Sequence, residues 1–316
     1  RPLSQRLPAA LKLSSRELAI QSWLQLDEDG VTEVLADLRI QRLRLARGAD
    51  APAVAIGDLT ALARWRRQAD GWQLQVADLS AFGPVWQRDR TDAALMLRRA
   101  QGDGGTRLVG RVASIGLQPL ATLAGLLADE LPAIGRELIG QRVDGRLSDT
   151  VFRIDLPPAG SEPLDWRLRT SVDGLGLPAV GPVPAVDGLD LRVDTGPDQG
   201  IVEVDASDTT IDLRPGLAEP TLLTRLAGRF QWRRMPAGSI HLWTNALTAE
   251  TADLGSVSRL SICAHPSGTS PFIDLHSHFT NGDAEAMSRY LPVAVMKDEL
   301  VDWLNRAVVS WARRCV

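Results

Sequence analysis

The chain has 316 residues, a formal net charge of −4 and 44% hydrophobic residues. This composition excludes a disordered chain, and no apolar run reaches the roughly 18 residues of a membrane-spanning helix. Arg is scattered among Asp and Glu without a basic stripe, so nucleic acid is not an expected partner. The two cysteines, Cys263 and Cys315, lie far apart and predict neither a disulfide scaffold nor a zinc site.

Alternating apolar and polar residues predict β-strands from the N-terminal part of the chain onwards. The run 38–40 is followed by 43–45 in the opposite phase, which predicts a β-bulge between them. Asp-Gly pairs predict tight turns between antiparallel strands, because glycine readily adopts the positive φ that such turns require. These pairs are Asp29-Gly30, Asp70-Gly71, Asp144-Gly145, Asp173-Gly174 and Asp187-Gly188.

A helical region interrupts the strands between Leu117 and Leu138, where apolar residues recur every three or four positions. Pro132 divides this region, so we expect one amphipathic helix or a pair of helices. Its polar face lacks the Lys and Arg of a membrane-surface helix, and we expect it to pack across the sheet or the groove opening. Two further helices are expected at 284–290 and 299–309.

The alternation is clearest in the strands predicted at 152–156, 166–172, 189–193, 202–205, 211–213, 240–242 and 273–279. The glycine-rich run 174–188 is interpreted as a long loop between two of them. The fold class expected is mostly β: an elongated, twisted antiparallel sheet that forms an open hydrophobic groove, with short helices interspersed. We expect one continuous architecture with a β-groove segment at 1–116, a helical insertion at 117–145, a second β-groove segment at 146–282 and the helical start of a next unit at 283–316.

One apolar set keeps the same phase in successive strands, so we expect it to line one concave surface. Such a surface is either an open groove or the closed core of a β structure. The residues expected to line the groove are Leu168, Val172, Leu191, Val193, Val202, Val204, Ile211, Leu213, Ile240 and Leu242.

Few residues of the sequence are candidates for catalysis or metal binding. Asp274, His276 and His278 lie two apart on one predicted strand, and two imidazoles with a carboxylate can form a facial metal triad of a metal-dependent hydrolase. The more ordinary interpretation is a polar, solvent-facing strand face. The sequence has no nucleophile elbow, Walker loop or dinucleotide fingerprint. We therefore expect no enzymatic activity and no cofactor.

Several phrases of the sequence resemble passages of YhdP-type proteins in the AsmA-like superfamily. The most specific are 287–296 (MSRYLPVAVM) and 300–307 (LVDWLNRA) near the C-terminus. Residues 140–147, 201–213 and 226–232 resemble shorter passages of the same family.

The resemblance implies a role in moving phospholipid between the inner and outer membranes of a Gram-negative envelope. It also implies a long periplasmic body whose inner-membrane anchor lies upstream, in keeping with a chain that opens on Arg1 rather than Met. The implied ligand is phospholipid, whose acyl chains such a groove would hold in place of water with a gain of roughly 0.8 kcal/mol for each buried methylene. The alternative is a structural or assembly factor of the cell envelope in which the same face is a closed core. The sequence does not identify protein partners in the envelope.

Overall fold

The computed structural model describes residues 11–47, 53–86, 90–99, 105–126, 133–158, 164–180, 183–214, 217, 219–265, 270–282, 286–290, 296–297, 299–300 and 302–303. The protein is mostly β, and the described residues form 17 strands, whose pairings are antiparallel. Short helices are interspersed among the strands, so the predicted fold class is confirmed. None of the helices in the described ranges is both long enough and apolar enough to cross a membrane.

The elements have the following bounds. The strands are β1 (Leu11–Ser14), β2 (Glu17–Asp27), β3 (Gly30–Arg47), β4 (Val54–Gln68), β5 (Gly71–Phe82), β6 (Arg90–Arg99), β7 (Thr106–Gly116), β8 (Asp144–Leu156), β9 (Asp165–Leu177), β10 (Ala185–Thr195), β11 (Gln199–Ala206), β12 (Thr209–Asp212), β13 (Thr221–Leu223), β14 (Arg225–Arg234), β15 (Ile240–Glu250), β16 (Gly255–Ala264) and β17 (Phe272–Thr280). The helices are α1 (Leu117–Ala124) and α2 (Ala133–Ile139), with 3-10 helices at Pro236–Gly238 and Met287–Tyr290.

The chain divides into two compact units, Arg1–Ser171 and Val172–Val316. We call them the first and second units and describe each by itself. The division falls inside β9, whereas the four segments expected from the sequence end at 116, 145, 282 and 316. Those segment boundaries stay a prediction.

In the first unit, strands β3 to β8 pair in sequence order, each antiparallel to the next. Strand β3 is long enough to pair with both β1 and β2 on its other side. Directly paired residues on antiparallel strands project to the same face of a sheet. One continuous apolar row, which we call the central row, therefore crosses seven strands: Leu24, Val34, Trp65, Leu74, Leu95, Gly110 and Phe152.

In the second unit, β10 pairs with two strands in succession, β11 through 191–195 and β12 through 185–187. Strand β11 continues to β14 and β12 continues to β13, after which β14, β15, β16 and β17 pair in order. Strand β9 extends to Leu177 and β10 begins at Ala185. The prediction of a loop over 174–188 was therefore wrong, since both of its ends belong to strands.

The predicted bulge near residue 41 is confirmed. The register of β3 against β4 shifts between Ile40 and Leu43, and Arg42 has a φ of 52°. The Arg42 N–H donates to Asp58 Oδ1 on β4 at 3.0 Å. A bulge leaves one backbone amide outside the strand ladder, and this carboxylate satisfies it.

The same kind of hydrogen bond, from the amide of a positive-φ residue to an aspartate, occurs at two other positions within strands. Asp78, at a φ of 51°, donates its N–H to Asp92 Oδ1 at 3.0 Å, and Gly174, at a φ of 61°, donates to Asp190 Oδ1 at 2.7 Å. In each case the acceptor lies on the following strand. An aspartate that follows a positive-φ residue by 14 to 16 positions is therefore a recurrent feature of this sheet.

Only part of the predicted turn set is correct. Asp29-Gly30 and Asp70-Gly71 lie between consecutive strands as expected, but Asp173-Gly174 and Asp187-Gly188 lie inside β9 and β10. Asp144-Gly145 begins β8, with Gly145 at a φ of 117°. A glycine with positive φ fits a bulge as well as a turn, and the Asp-Gly pair alone does not distinguish the two.

The helical region predicted at 117–138 contains α1 and all of α2 except its last residue, although Pro132 itself lies outside the described residues. After residue 283 the structure describes a 3-10 helix at Met287–Tyr290, where a longer helix was predicted. Most of the helix predicted at 299–309 lies outside the described residues.

The bulge at Arg42 gives a first prediction. Asp58→Ala leaves the Arg42 amide without its carboxylate acceptor and should lower the free energy of unfolding by about 0.5 to 1.5 kcal/mol. Asp58→Asn keeps a side-chain oxygen there and should recover much of the loss. Urea unfolding followed by circular dichroism measures both variants. The control is Asp205→Ala, whose side chain is 83% exposed; equal losses at Asp58 and Asp205 would contradict the role of the carboxylate.

Candidate functional site

The first unit presents an apolar face that the described residues cover incompletely. At its β2 edge the side chains of Leu18, Ile20 and Leu24 are all more than half exposed. The row beside the central row consists mainly of small residues: Ser22, Ala36, Ala63, Val76, Ala93, Val112 and Thr150. These small side chains leave a shallow depression beside the larger side chains of the central row, which suits an elongated apolar ligand.

At one point on this face a glycine lets an aromatic ring lie close to the sheet. The Phe152 ring lies over the backbone of Gly110, where the Cβ of any larger residue would overlap it. The ring therefore lies close to the sheet, whereas an alanine at position 110 would push it outward.

The opposite face of the first unit is more polar, although Trp23, Leu35 and Val151 are exposed on it. Glu33 accepts from Arg64 Nε at 2.6 Å and from Arg66 Nε at 2.9 Å, and both guanidinium groups hold the pKa of the Glu33 carboxyl below its usual range. Arg107 donates to Asp155 at 2.5 Å on the same sheet. Each ion pair on a solvated face contributes little stability, and the main effect of these charges is to keep the face hydrated.

Helix α1 packs against β7 and β8 and forms a partly enclosed cavity with the sheet. Leu123 of α1 contacts a buried cluster made by Leu43, Ile56 and Ala81 from three adjacent strands. This agrees with the expectation that the helix packs across the sheet. The cavity has a volume of about 390 Å³ and is lined by Leu43, Leu45, Ile56, Leu59, Leu79, Ala81, Val85, Trp86, Thr91, Ser114, Ile115, Gly116, Gln118, Pro119, Leu123, Val143, Asp144, Gly145 and Arg146.

The cavity has an apolar side and a polar side. Strands β3, β4 and β5 contribute only aliphatic side chains, whereas β6, β7 and β8 also contribute hydroxyl and charged groups. Ser114 N–H donates to Thr91 Oγ1 at 3.0 Å, and Arg146 Nη1 donates to Ser114 Oγ at 2.9 Å. The start of α1 is fixed on the same side, since Val143 N–H donates to Gln118 Oε1 at 2.9 Å.

The second unit also has one apolar face and one polar face. Its register pairs Leu191 with Val204 and Val193 with Val202, and continues both pairs onto β14. A further row on the same face runs through Gly200, Trp232, Leu242, Ile262 and Ile273. Seven of the ten residues predicted to line the groove therefore share one face of this unit: Leu191, Val193, Val202, Val204, Ile211, Ile240 and Leu242.

The remaining three predicted residues lie elsewhere. Leu168 and Val172 are both on β9, but the division between the units separates them. Leu213 lies one residue beyond the end of β12 and is exposed. The lining role of all ten residues stays a prediction.

Burial varies along the apolar face of the second unit. Val204 is only 7% exposed and belongs to a buried cluster with Ala206, Leu223 and Leu226. Ile240 is 42% exposed, and Leu275 on β17 is 59% exposed. The face thus has a packed part near β13 and an open part towards β17.

The three residues considered as a metal triad lie together on one face of β17. His276 Nε2 contacts Asp274 Oδ1 at 2.9 Å, and His278 is on the same face. Within the described residues, no group of three or more His, Cys, Asp or Glu side chains is placed to hold a metal ion. His241 stacks on Trp243 at 4.7 Å and contacts Ser261 Oγ at 2.9 Å, so it is engaged in packing.

A polar cluster joins the 3-10 helix at Met287–Tyr290 to the turn between β15 and β16. The Tyr290 hydroxyl donates to Asp253 Oδ2 at 2.9 Å and lies 2.9 Å from Thr251 Oγ1. Arg289 Nη1 donates to the same carboxylate at 3.0 Å. Burial raises the pKa of the Tyr290 hydroxyl, and Ala286 is buried beside this helix.

Similarity to known proteins is found at the level of a family. A family model described as YhdP protein matches residues 5–311. The chain belongs to the YhdP family. Comparison with curated proteins and with solved structures gives no match. Membership in the YhdP family confirms the resemblance found in the C-terminal phrases, and it extends across the helices and both units.

The α1 cavity is the feature that sequence reasoning missed. Most of its lining residues come from α1 and from six strands, β3 to β8, and Val85, Trp86 and Val143 come from the connections between elements. Their shared position depends on the register of every strand pair between β3 and β8. The sequence did predict the α1 packing, but it did not indicate that the helix would leave a space beneath it. The groove residues were instead predicted only from 168 onwards, where the alternation is most regular.

The polar face of β17 gives a second prediction. The double variant His276→Ala/His278→Ala should change the free energy of unfolding by no more than about 0.5 kcal/mol, because both side chains lie on an exposed strand face. Chemical unfolding measures the change, and inductively coupled plasma mass spectrometry measures bound metal. Stoichiometric zinc or iron that disappears in the double variant would contradict this interpretation.

The Tyr290 cluster gives a third prediction. Tyr290→Phe removes a hydrogen bond to a carboxylate and should lower the free energy of unfolding by about 1 to 2 kcal/mol at pH 7. The raised pKa of Tyr290 in the folded protein means that the unfolded chain ionises first. The wild-type protein should therefore lose stability as the pH rises above about 10, where the unfolded tyrosine deprotonates. Tyr290→Phe should lose less stability over that pH range; an equal loss would rule out Tyr290 as its source.

Proposed function

We propose that this chain is a non-catalytic part of a lipid-transport protein, and that its apolar sheet faces hold phospholipid acyl chains on the way between the inner and outer membranes. The observation that carries the proposal is an antiparallel sheet with continuous apolar rows that stay partly exposed. Large contiguous apolar patches are uncommon on the surface of monomeric soluble proteins and mark sites that bind apolar partners. Membership in the YhdP family supports lipid transport in the cell envelope.

The physical basis is the transfer of hydrocarbon out of water. Each methylene that leaves water for an apolar row gains roughly 0.8 kcal/mol, without any directional contact. The binding is therefore insensitive to position along a row, and a chain can shift along it with little change in free energy. A surface that conducts lipid needs this property, whereas a specific enzyme site needs the opposite.

The proposal places the body of the protein in the periplasm, with an inner-membrane anchor in a part of the parent protein outside this chain. Phospholipid is the proposed ligand. The family resemblance supports these assignments. A structural role is the second candidate, because the cluster around Val204 is packed as a core.

Charge placed on the open part of the apolar face distinguishes the two functions. Ile240→Asp should leave the protein folded, because a side chain that is 42% exposed can keep its carboxylate in water. It should also reduce photo-crosslinking to a phospholipid by roughly tenfold, since a passing acyl chain would have to desolvate the charge. His241→Asp, on the opposite face of the same strand, is the matched control and should crosslink as the wild type does. Undiminished crosslinking in folded Ile240→Asp would contradict the proposal.

The same substitution at a packed position should behave differently. Val204→Asp buries an unpaired carboxylate and should lower the free energy of unfolding by about 3 kcal/mol or more. Thermal unfolding of both variants measures this contrast. If Ile240→Asp lost as much stability as Val204→Asp, the whole face would be a closed core and the structural role would be favoured.

A further inference from the structure

The cavity beneath α1 has a chemical asymmetry that the open faces lack. Its wall on β3, β4 and β5 is aliphatic, with Leu43, Ile56 and Ala81 buried at its centre. Its opposite wall carries the Thr91 and Ser114 hydroxyl groups and the Arg146 guanidinium. A ligand that fits both walls has a hydrocarbon part and an oxygen-bearing part.

The size of the cavity limits the hydrocarbon part. A volume of about 390 Å³ lies near the lower end of the range for small-molecule sites, which is about 300 to 1,000 Å³. It therefore suits one alkyl chain rather than the two tails of a diacyl lipid. Apolar cavities of this kind hold water poorly and bind apolar ligands readily.

Hydrogen bonds among its own residues hold the polar wall of the cavity in position without a ligand. Arg146 Nη1 donates to Ser114 Oγ, while the Ser114 amide donates to Thr91 Oγ1. These contacts fix three side chains from three adjacent strands on the same side of the cavity. The two hydroxyl groups can donate to a carboxylate or phosphate oxygen, and the guanidinium supplies positive charge beside them.

Three other polar side chains belong to the cavity lining, and one of them, Gln118, already accepts the Val143 amide through its Oε1. The Trp86 indole Nε1 is buried and has no hydrogen-bond partner among the described residues, so it offers a further donor to a ligand oxygen. The Asp144 carboxylate would repel an anion, but it accepts from Arg142 Nε at 3.1 Å and is more than half exposed. Its charge is therefore paired and screened by water, and the lining favours an anionic or oxygen-rich head.

We propose that the cavity beneath α1 is a site for a single long alkyl chain whose oxyanion head lies against Thr91, Ser114 and Arg146. The alkyl chain lies along the aliphatic wall, beside the contact that Leu123 of α1 makes with it. This inference rests on the proposed function in one respect, since the cavity and the apolar face of the first unit are parts of the same lipid-binding surface. The cavity would hold one alkyl chain at a fixed position, whereas the open apolar faces let chains shift along them.

Cysteine accessibility tests the site. Ala81→Cys places a small thiol in the cavity, and Ala63→Cys places one on the apolar face outside the cavity lining. Both are made in a Cys263→Ser/Cys315→Ser background, and circular dichroism checks their folding. Alkylation by iodoacetamide is timed without ligand, with sodium palmitate, and with vesicles of phosphatidylethanolamine.

Palmitate is expected to slow alkylation of Ala81→Cys at least tenfold. Protection by palmitate alone identifies a site for free fatty acid, and protection by vesicles as well identifies a site for one tail of a phospholipid. Protection at Ala63→Cys without protection at Ala81→Cys overturns the cavity site and leaves the proposed function standing. Absence of protection at both positions overturns the cavity site and also counts against the proposed function.

A second measurement needs no introduced cysteine. Trp86 lines the cavity, so a palmitate brominated near the end of its chain should quench tryptophan fluorescence there. Trp86→Phe should remove most of that quenching, while Trp72→Phe, at a position outside the cavity lining, should not. Equal quenching in the wild type and in Trp86→Phe would overturn the inference even if a cysteine variant folded poorly.

Discussion

The two-residue period of the β-strand is the constraint on which this structure depends. Directly paired residues share a face, so an apolar row continues across several strands only if each register is exact. A slip of one residue at any pair would turn the apolar set of the next strand to the polar face. The central row, from Leu24 to Phe152, crosses six such pairings without a break.

The positive-φ residues within strands explain how the rows stay continuous when the sequence changes phase. The register shifts at Arg42 and again beside Asp78, where an extra residue changes the phase of its strand and increases the local twist. An aspartate on the following strand accepts a hydrogen bond from the amide of each of these residues, and Asp190 does the same for Gly174. The aspartates therefore maintain the register at the points where it would otherwise be least determined.

The sequence was sufficient to predict the class of the fold, the bulge near residue 41 and the family. Each of these depends on local patterns or on specific phrases. The sequence was not sufficient to predict the burial of Val204, because that burial arises from β13 and β14 packing beside it. It also could not distinguish a turn glycine from a bulge glycine at 174 and 188, since both need the same backbone conformation. The α1 cavity depends on contacts between distant elements, which a periodicity analysis does not detect.

The two units use the same means to keep an aromatic ring close to the sheet. Phe152 lies over Gly110 in the first unit, and Trp232 lies over Gly200 in the second. In each pair the two residues face one another directly across adjacent strands. A glycine under the ring lets a large apolar surface form part of the floor without projecting from it. Because a projecting ring would interrupt an apolar row, these glycines keep the rows of both units continuous.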